Sequence, residues 1–194
     1  MRRAGTDMST SNREVEVKIA VSTAAAARKA IRSAGFVIHV PRVFEANVLY
    51  DTPGQSLRGQ GKLVRLREAG KSFKLTYKGR SQDSRHKIRE ELETNLDKPE
   101  VMRRVFEEIG LTPVFRYEKY RTEFSAPGAK GVITLDETPI GTFLEIEGPP
   151  RWIDRTAKQL GFGPEGYITD SYGALYLKYC REHNIRPANM VFAR

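Results

Sequence analysis

The segment at 14–18 reads EVEVK, charged and apolar residues alternating one for one, and the same alternation returns in segment after segment along the chain. A strand turns successive side chains to opposite faces, so this period predicts strands whose two faces differ in character. In the first, Glu14, Glu16 and Lys18 oppose Val15, Val17 and Ile19; later, Arg65 and Arg67 oppose Val64 and Leu66, and Lys74, Thr76 and Lys78 oppose Phe73, Leu75 and Tyr77. Arg89, Glu91 and Glu93 oppose Ile88 and Leu92, with Glu90 spoiling the apolar set, and Lys119, Arg121 and Glu123 oppose Tyr120, Thr122 and Phe124. Thr134 and Asp136 then oppose Ile133 and Leu135, and Phe143, Glu145 and Glu147 oppose Leu144 and Ile146.

Strand-like segments cover roughly 13–20, 43–50, 62–69, 72–79, 86–95, 115–125, 131–137 and 142–148. Four helical segments interrupt them. Ser22 or Thr23 caps an Ala-rich helix ending near Gly35, and Asp97 with Pro99 and Glu100 opens one ending at Gly110. A third spans about Pro150 to Leu160, and Asp170 caps a fourth reaching about His183. The expected class is α+β with a mostly antiparallel sheet. Residues 1–12 read as a polar flexible tail, 13–194 as a single domain, and 79–87 as a mobile connection between strands that could gate a site.

A sheet with one face on a helical core and the other in water would produce the same alternation. Solvated faces, however, usually draw on Thr, Ser, Gln and Lys, whereas here Glu-x-Glu, Arg-x-Arg and Lys-x-x-x-Lys recur on one face. Like charges so placed repel by tenths of a kcal/mol to about 1 kcal/mol per pair. Facing clusters of opposite sign in a closed sheet would offset part of this, and bound ions the rest. Carboxylates at Glu-x-Glu spacing lie about 7 Å apart along a strand, so Glu14, Glu16, Glu145 and Glu147 could hold Mg²⁺ or Mn²⁺ between strands. Lys18, Arg65, Arg67, Lys74, Lys78, Arg89, Lys119 and Arg121 would accept phosphate oxygens. Acids for a metal beside a basic lining indicate a polyphosphate ligand.

Composition narrows the alternatives. Lys+Arg 33 against Asp+Glu 24 gives a net charge of +9, which favours an anionic partner. Nucleic-acid binding would place Lys and Arg among aromatics on an exposed surface; here they alternate with acids on the charged parity, which argues against it. The single cysteine, Cys180, excludes an internal disulfide and a cysteine-based zinc site, and reads as a small buried hydrophobe. His39, His86 and His183 sit in unrelated contexts. No apolar stretch approaches the roughly 18 residues of a membrane span, and no signal-peptide core is present, so a cytoplasmic location is expected. Trp152 beside a Pro pair reads as a packing anchor, and Tyr167 and Tyr172 as core or rim aromatics.

EVEVK at 14–18, YDTP at 50–53, LVRLRE at 63–68, KLTYK at 74–78 and REELET at 89–94 stand in the same order as motifs of a known family. KYR at 119–121, LDETPIG at 135–141, FLEIEG at 143–148 and DSYGALY at 170–176 continue the match. The chain resembles the CYTH, or triphosphate tunnel metalloenzyme, superfamily. The resemblance implies a closed eight-stranded antiparallel β-barrel, a tunnel with a charged interior and helices packed outside. It implies metal ligands Glu14, Glu16, Glu145 and Glu147, with Asp136 a further acidic candidate, and Mg²⁺ or Mn²⁺ as cofactor. Glu14, Glu16, Lys18, Glu145 and Glu147 would be catalytic. Triphosphate contacts would come from Lys18, Arg65, Arg67, Lys74, Lys78 and Arg121, with Arg89, Lys119 and Lys178 matched less directly.

The implied activity is metal-dependent hydrolysis of an inorganic, thiamine or nucleoside triphosphate. The alternatives are a class IV adenylyl cyclase that converts ATP to cyclic AMP and pyrophosphate, and a non-catalytic binder of polyphosphate or nucleotide. Monomer and homodimer both stay open.

Overall fold

Every stretch of alternating parity forms a strand in the computed structural model, which describes residues 13–82 and 84–193; the tail expected at 1–12 lies outside the described residues. The strands are β1 (Arg13–Val21), β2 (Val37–Asp51), β3 (Leu63–Ala69), β4 (Ser72–Lys78), β5 (Lys87–Asn95), β6 (Thr112–Ser125), β7 (Val132–Thr138) and β8 (Gly141–Glu147). They form one closed barrel in the order β1-β5-β4-β3-β2-β6-β7-β8, with β8 returning antiparallel to β1. Closure removes the free edges of the sheet and separates an inner from an outer face. The expected α+β class and closed eight-stranded antiparallel barrel are both found.

The helices are α1 (Ala24–Ser33), α2 (Ser56–Gly59), α3 (Pro99–Glu108), α4 (Pro150–Gln159) and α5 (Tyr172–Glu182). Ile31 of α1 and Ile153 and Ala157 of α4 pack on the outward apolar parity of β1, β7 and β8: Val17, Ile19, Ile133, Leu135, Leu144 and Ile146. The main hydrophobic core therefore lies outside the barrel, which frees the inside for charge. Trp152 meets Phe36 edge-on at 6.2 Å in this layer, so it is the packing anchor expected. A smaller cluster joins Phe106 of α3 to Tyr50 and Leu66. A third joins Tyr172, Tyr176 and Cys180 of α5 to Tyr117, Phe143 and Met190, with Cys180 buried as expected.

Several local expectations are corrected. β2 begins at Val37, before the expected 43, because Pro41 falls where the pairing with β6 slips out of register, the kind of position where a residue without an N–H is tolerated. Of the two caps expected for α1, Thr23 is the one found: its Oγ1 accepts from the Ala26 N–H at 3.2 Å. Asp170 does not cap α5; Ser171, one residue closer, accepts from the Ala174 N–H at 3.2 Å. Asp97 does not cap α3, whose preceding residue is Lys98 and whose first position is Pro99. The connection expected at 79–87 is anchored where it is described: His86 Nε2 lies 2.8 Å and Arg85 Nη2 2.6 Å from the Asp154 carboxylate of α4, and Lys87 already belongs to β5. Asp51 of the YDTP motif accepts from the backbone N–H groups of Thr52, Leu57 and Arg58, which starts α2. No described helix is long and apolar enough to cross a membrane.

Candidate functional site

The inward parity of the strands places acids against bases in register. Lys18 pairs across to Glu145 and Glu16 to Glu147 at the β1/β8 seam, while Glu14 faces Arg89 and Glu16 faces Lys87 on β5. Lys78 stands opposite Glu91, and Thr76 opposite Glu93. All of these side chains but Thr76 line a cavity of about 320 Å³ inside the barrel. At one side of it the N-terminus of α5 contributes Ser171, Tyr172 and Gly173.

The inner charges are mutually paired. Lys18 Nζ lies 3.1 Å from Glu16 and 3.0 Å from Glu145 with 3% of its side chain exposed. Lys78 Nζ bridges Glu14 at 2.5 Å and Glu91 at 2.9 Å, and Arg89 Nε reaches Glu14 at 2.9 Å. Glu93 accepts from Lys74 at 2.8 Å and lies 3.4 Å from both Arg65 and Arg67. Arg65 also donates to the Tyr117 hydroxyl at 3.2 Å, and Arg121 meets both Asp136 and Glu145. Burial alone would raise these carboxyls, but the neighbouring lysines and arginines outweigh it and hold Glu14, Glu16 and Glu145 below their ordinary range.

Two acids behave in the opposite way. Lost hydration, and then the negative charges of Glu14 and Glu16, push Glu147 up to about 7. It is the member of the set with no cationic partner among the described residues, and it stays open toward the rim. Glu91, losing hydration beside Glu14, is likewise pushed up to about 7.

Among the residues expected in the site, Glu14, Glu16, Lys18, Arg65, Arg67, Lys74, Lys78, Arg89, Lys119, Arg121, Glu145 and Glu147 all line the cavity. Asp136 does not. It is fully buried and absent from the cavity lining; its Oδ2 accepts from Lys119 at 2.8 Å, Arg121 at 2.6 Å and the Tyr172 hydroxyl at 2.7 Å, and its Oδ1 from Arg121 at 2.7 Å. Its place is behind the lining, where it orients two of the cations. Lys178 is 63% exposed on α5 with Glu182 as neighbour at 3.9 Å, so it is a solvated helical position outside the cavity.

Three inner residues escape the sequence reading, and a fourth, Tyr172, was expected only as a core or rim aromatic. Glu45, 4% exposed, is held down at about 2: burial would raise it, but Lys119, Arg121, Arg67 and Arg65 surround it. Asn47, fully buried, stands two residues on along the same face. Burial and the charge of Lys18 push Lys87 down to about 8; it lies within the strand expected at 86–95 and shares the parity of Arg89, the signal that would have found it. Tyr172 lies under the Lys18 and Lys119 ammonium groups at 5.3 and 5.2 Å.

The donor set suits a hard divalent cation: Glu14, Glu16, Glu145 and Glu147 offer carboxylate oxygens on two adjacent strands, and a cation beside Glu147 would favour the ionised form that its burial and the neighbouring acids disfavour. Among the described residues no three acids are gathered into a ready cage, since Glu14, Glu16 and Glu145 each turn to a lysine or arginine.

A closed antiparallel barrel with an interior of paired acids and bases defines a class of tunnel proteins, and the comparisons agree with it. The CYTH domain model matches residues 12–158, and the chain belongs to that family. A Methanocaldococcus jannaschii protein named as a candidate adenylate cyclase is 27% identical over 69% of this chain and 75% of its own length. The same fold occurs in a candidate adenylate cyclase from Vibrio parahaemolyticus, with TM-score 0.73, 23% identity and coverage of 84% of this chain and 96% of that one. A Hippeastrum candidate adenylyl cyclase, described as having a dominant triphosphatase activity, superposes with TM-score 0.63 at 20% identity over 85% and 95% of the two chains.

Proposed function

We propose that the barrel takes a triphosphate into its interior and hydrolyses it, releasing orthophosphate from an inorganic, thiamine or nucleoside triphosphate. The observation that carries this reading is the cavity of about 320 Å³ inside the barrel, two thirds of whose lining residues are lysine, arginine or glutamate. A phosphate chain entering it would exchange the inner carboxylates for its own oxygens on Lys18, Arg65 and Arg121. Phosphoryl transfer depends on such positioning and on charge stabilisation more than on covalent help from the protein.

Each part of the lining has a task in this reading. Arg65 and Arg121, fixed by Tyr117 and Asp136, present planar forks to non-bridging oxygens. Lys74 and Lys78 extend the grip along β4. Tyr172 and Ser171 cover one side of the chain of phosphates and limit water there. Glu14, Glu16, Glu145 and Glu147 would hold Mg²⁺ or Mn²⁺, which when bound offsets phosphate charge and favours attack by water.

The names of the relatives support a second reading, adenylyl cyclase activity. Cyclisation needs a seat for adenine, and the aromatic rings lining the cavity, Tyr117 and Tyr172, already serve Arg65 and Asp136 with their hydroxyls. The described neighbour with dominant triphosphatase activity supports hydrolysis. A product assay separates the two: the protein with Mg²⁺ or Mn²⁺ is offered inorganic triphosphate, thiamine triphosphate and ATP separately. Orthophosphate supports the proposal, and cyclic AMP with pyrophosphate from ATP replaces it.

A further inference from the structure

The formal charges of the tunnel cancel. Nine lysines and arginines line it against seven glutamates, and Glu45 and Asp136, which stand behind the lining beside Arg67, Lys119 and Arg121, bring the acids to nine. The chain's net charge of +9 is therefore carried outside the barrel interior. Charge that takes no part in the tunnel acts through its field on partners in solution.

Much of it lies on α1 and α4. Both helices pack on the same outer face of the barrel, around Val17, Ile133 and Leu144, and the Gln159 side chain donates to the Ala34 carbonyl at 3.0 Å, which brings their C-terminal ends together. On α4, Arg151, Arg155 and Lys158 recur at i, i+4 and i+7 on the exposed side, opposite the buried Ile153 and Ala157. On α1, Lys29 and Arg32 are exposed opposite the buried Ala27 and Ile31. The ion pairs of these helices involve Arg28, which meets Glu137, and Asp154, which meets Arg85 and His86; among the described residues the five exposed cations have none. Neither helix has an acid in its first turn, and Arg151 stands in that of α4 against the helix dipole. Unpaired charges of one sign on neighbouring helices repel one another, and a polyanion relieves this.

We propose that the exposed face of α1 and α4 docks on the phosphate backbone of double-stranded nucleic acid, without reading its sequence. Arg32, Arg151 and Arg155 suit this backbone because a guanidinium fork takes two phosphate oxygens at once. Among the described residues no large exposed apolar side chain lies on α1 or α4, so the face has nothing to seat in a bilayer. Its one aromatic, Trp152, packs against Phe36, which leaves no free ring for the stacking that holds single strands. The acids on the charged parity of the strands face the tunnel and do not interrupt this surface. The docking is independent of what enters the tunnel.

The test is equilibrium binding of a short mixed-sequence DNA duplex to the full chain, followed by fluorescence anisotropy over a series of salt concentrations. It compares the unaltered protein with Lys29→Ala plus Arg155→Ala, with Arg103→Ala plus Arg181→Ala at exposed positions on α3 and α5, and with Arg65→Ala in the tunnel. Affinity for the unaltered protein is expected to fall steeply as salt rises. The face variant should bind about tenfold more weakly, with a log–log salt dependence shallower by about 0.9 per cation removed. The other two variants should match the unaltered protein. The proposal is overturned if the duplex does not bind, if the face variant keeps its affinity and salt slope, or if either comparison variant loses as much. Anionic vesicles or polyglutamate binding through Lys29 and Arg155 where the duplex does not would assign the face to a lipid surface or an acidic protein, and would overturn it equally.

Discussion

Lys18 Nζ lies 3.0 Å from Glu145 Oε1 across the seam where β1 and β8 close the barrel. Glu145 also meets Arg121, so a single carboxylate neutralises cations from two strands. Removing its charge leaves both cations nearby with one acid fewer and takes one oxygen donor from the proposed metal set. Glu145→Gln is expected to lower kcat on a triphosphate by about 100-fold or more, in the range seen when a charge-stabilising group is lost. KM should not rise, because substrate phosphates can occupy the cations left behind. Steady-state kinetics checks this, and an unchanged kcat would remove Glu145 from the machinery.

Acid should reveal the inner pairing. Glu45 is held at about 2 in the folded chain, against an ordinary 4.5. A carboxyl more acidic when folded contributes stability above pH 4.5 and loses it as pH falls toward about 2. Thermal melting across that window should fall more steeply for the unaltered protein than for Glu45→Gln, which starts lower near neutrality. Parallel curves would mean that Glu45 is not paired as described.

The YDTP motif has a structural task that is separable from the tunnel. Asp51 accepts from the N–H groups of Thr52 at 2.7 Å and of Leu57 and Arg58 at 2.9 Å each. Asp51→Ala should cost about 1 to 2 kcal/mol, the scale of a lost helix cap, in urea denaturation. Asp51→Asn, which keeps one acceptor, should recover part of it. Equal losses would show that the acceptor geometry is not what matters.

Gly131 approaches the α4 layer so closely that a Cβ would lie 2.5 Å from the Trp152 ring and overlap the Glu147 carbonyl. Gly131→Ala should therefore destabilise the fold by about 1 to 3 kcal/mol through overpacking. Because the strain falls on Glu147, Mn²⁺ binding followed by calorimetry should weaken as well. Full metal affinity in a destabilised variant would separate Glu147 from the metal set.

The regular strands were legible because parity survives wherever a strand is paired without slips. β1, β3, β4, β6 and β8 therefore announced their inner charges directly. Glu45 and Asn47 stayed hidden because β2 carries Pro41 and register shifts, and Leu49 breaks the polar parity just beyond them. Lys87 was hidden by the loop composition around it, although its burial inside β5 follows from one more step of alternation. Asp136 shows a different limit. Its inward parity was readable, but that its Oδ2 is held by Lys119, Arg121 and Tyr172 together depends on α5 reaching the barrel. Tyr172 itself enters the site by tertiary packing, which no period in the sequence encodes.

The most direct test of a triphosphate site inside the barrel is calorimetric titration of inorganic tripolyphosphate into the unaltered protein and into Arg65→Ala, with melting curves to verify that both are folded. Arg65 is 9% exposed and lines the tunnel. The expected result is saturable binding to the unaltered protein and a loss of about tenfold or more in Arg65→Ala, the scale of a charge-assisted contact. Equal affinity in the two folded proteins would put the phosphates elsewhere and contradict the tunnel site.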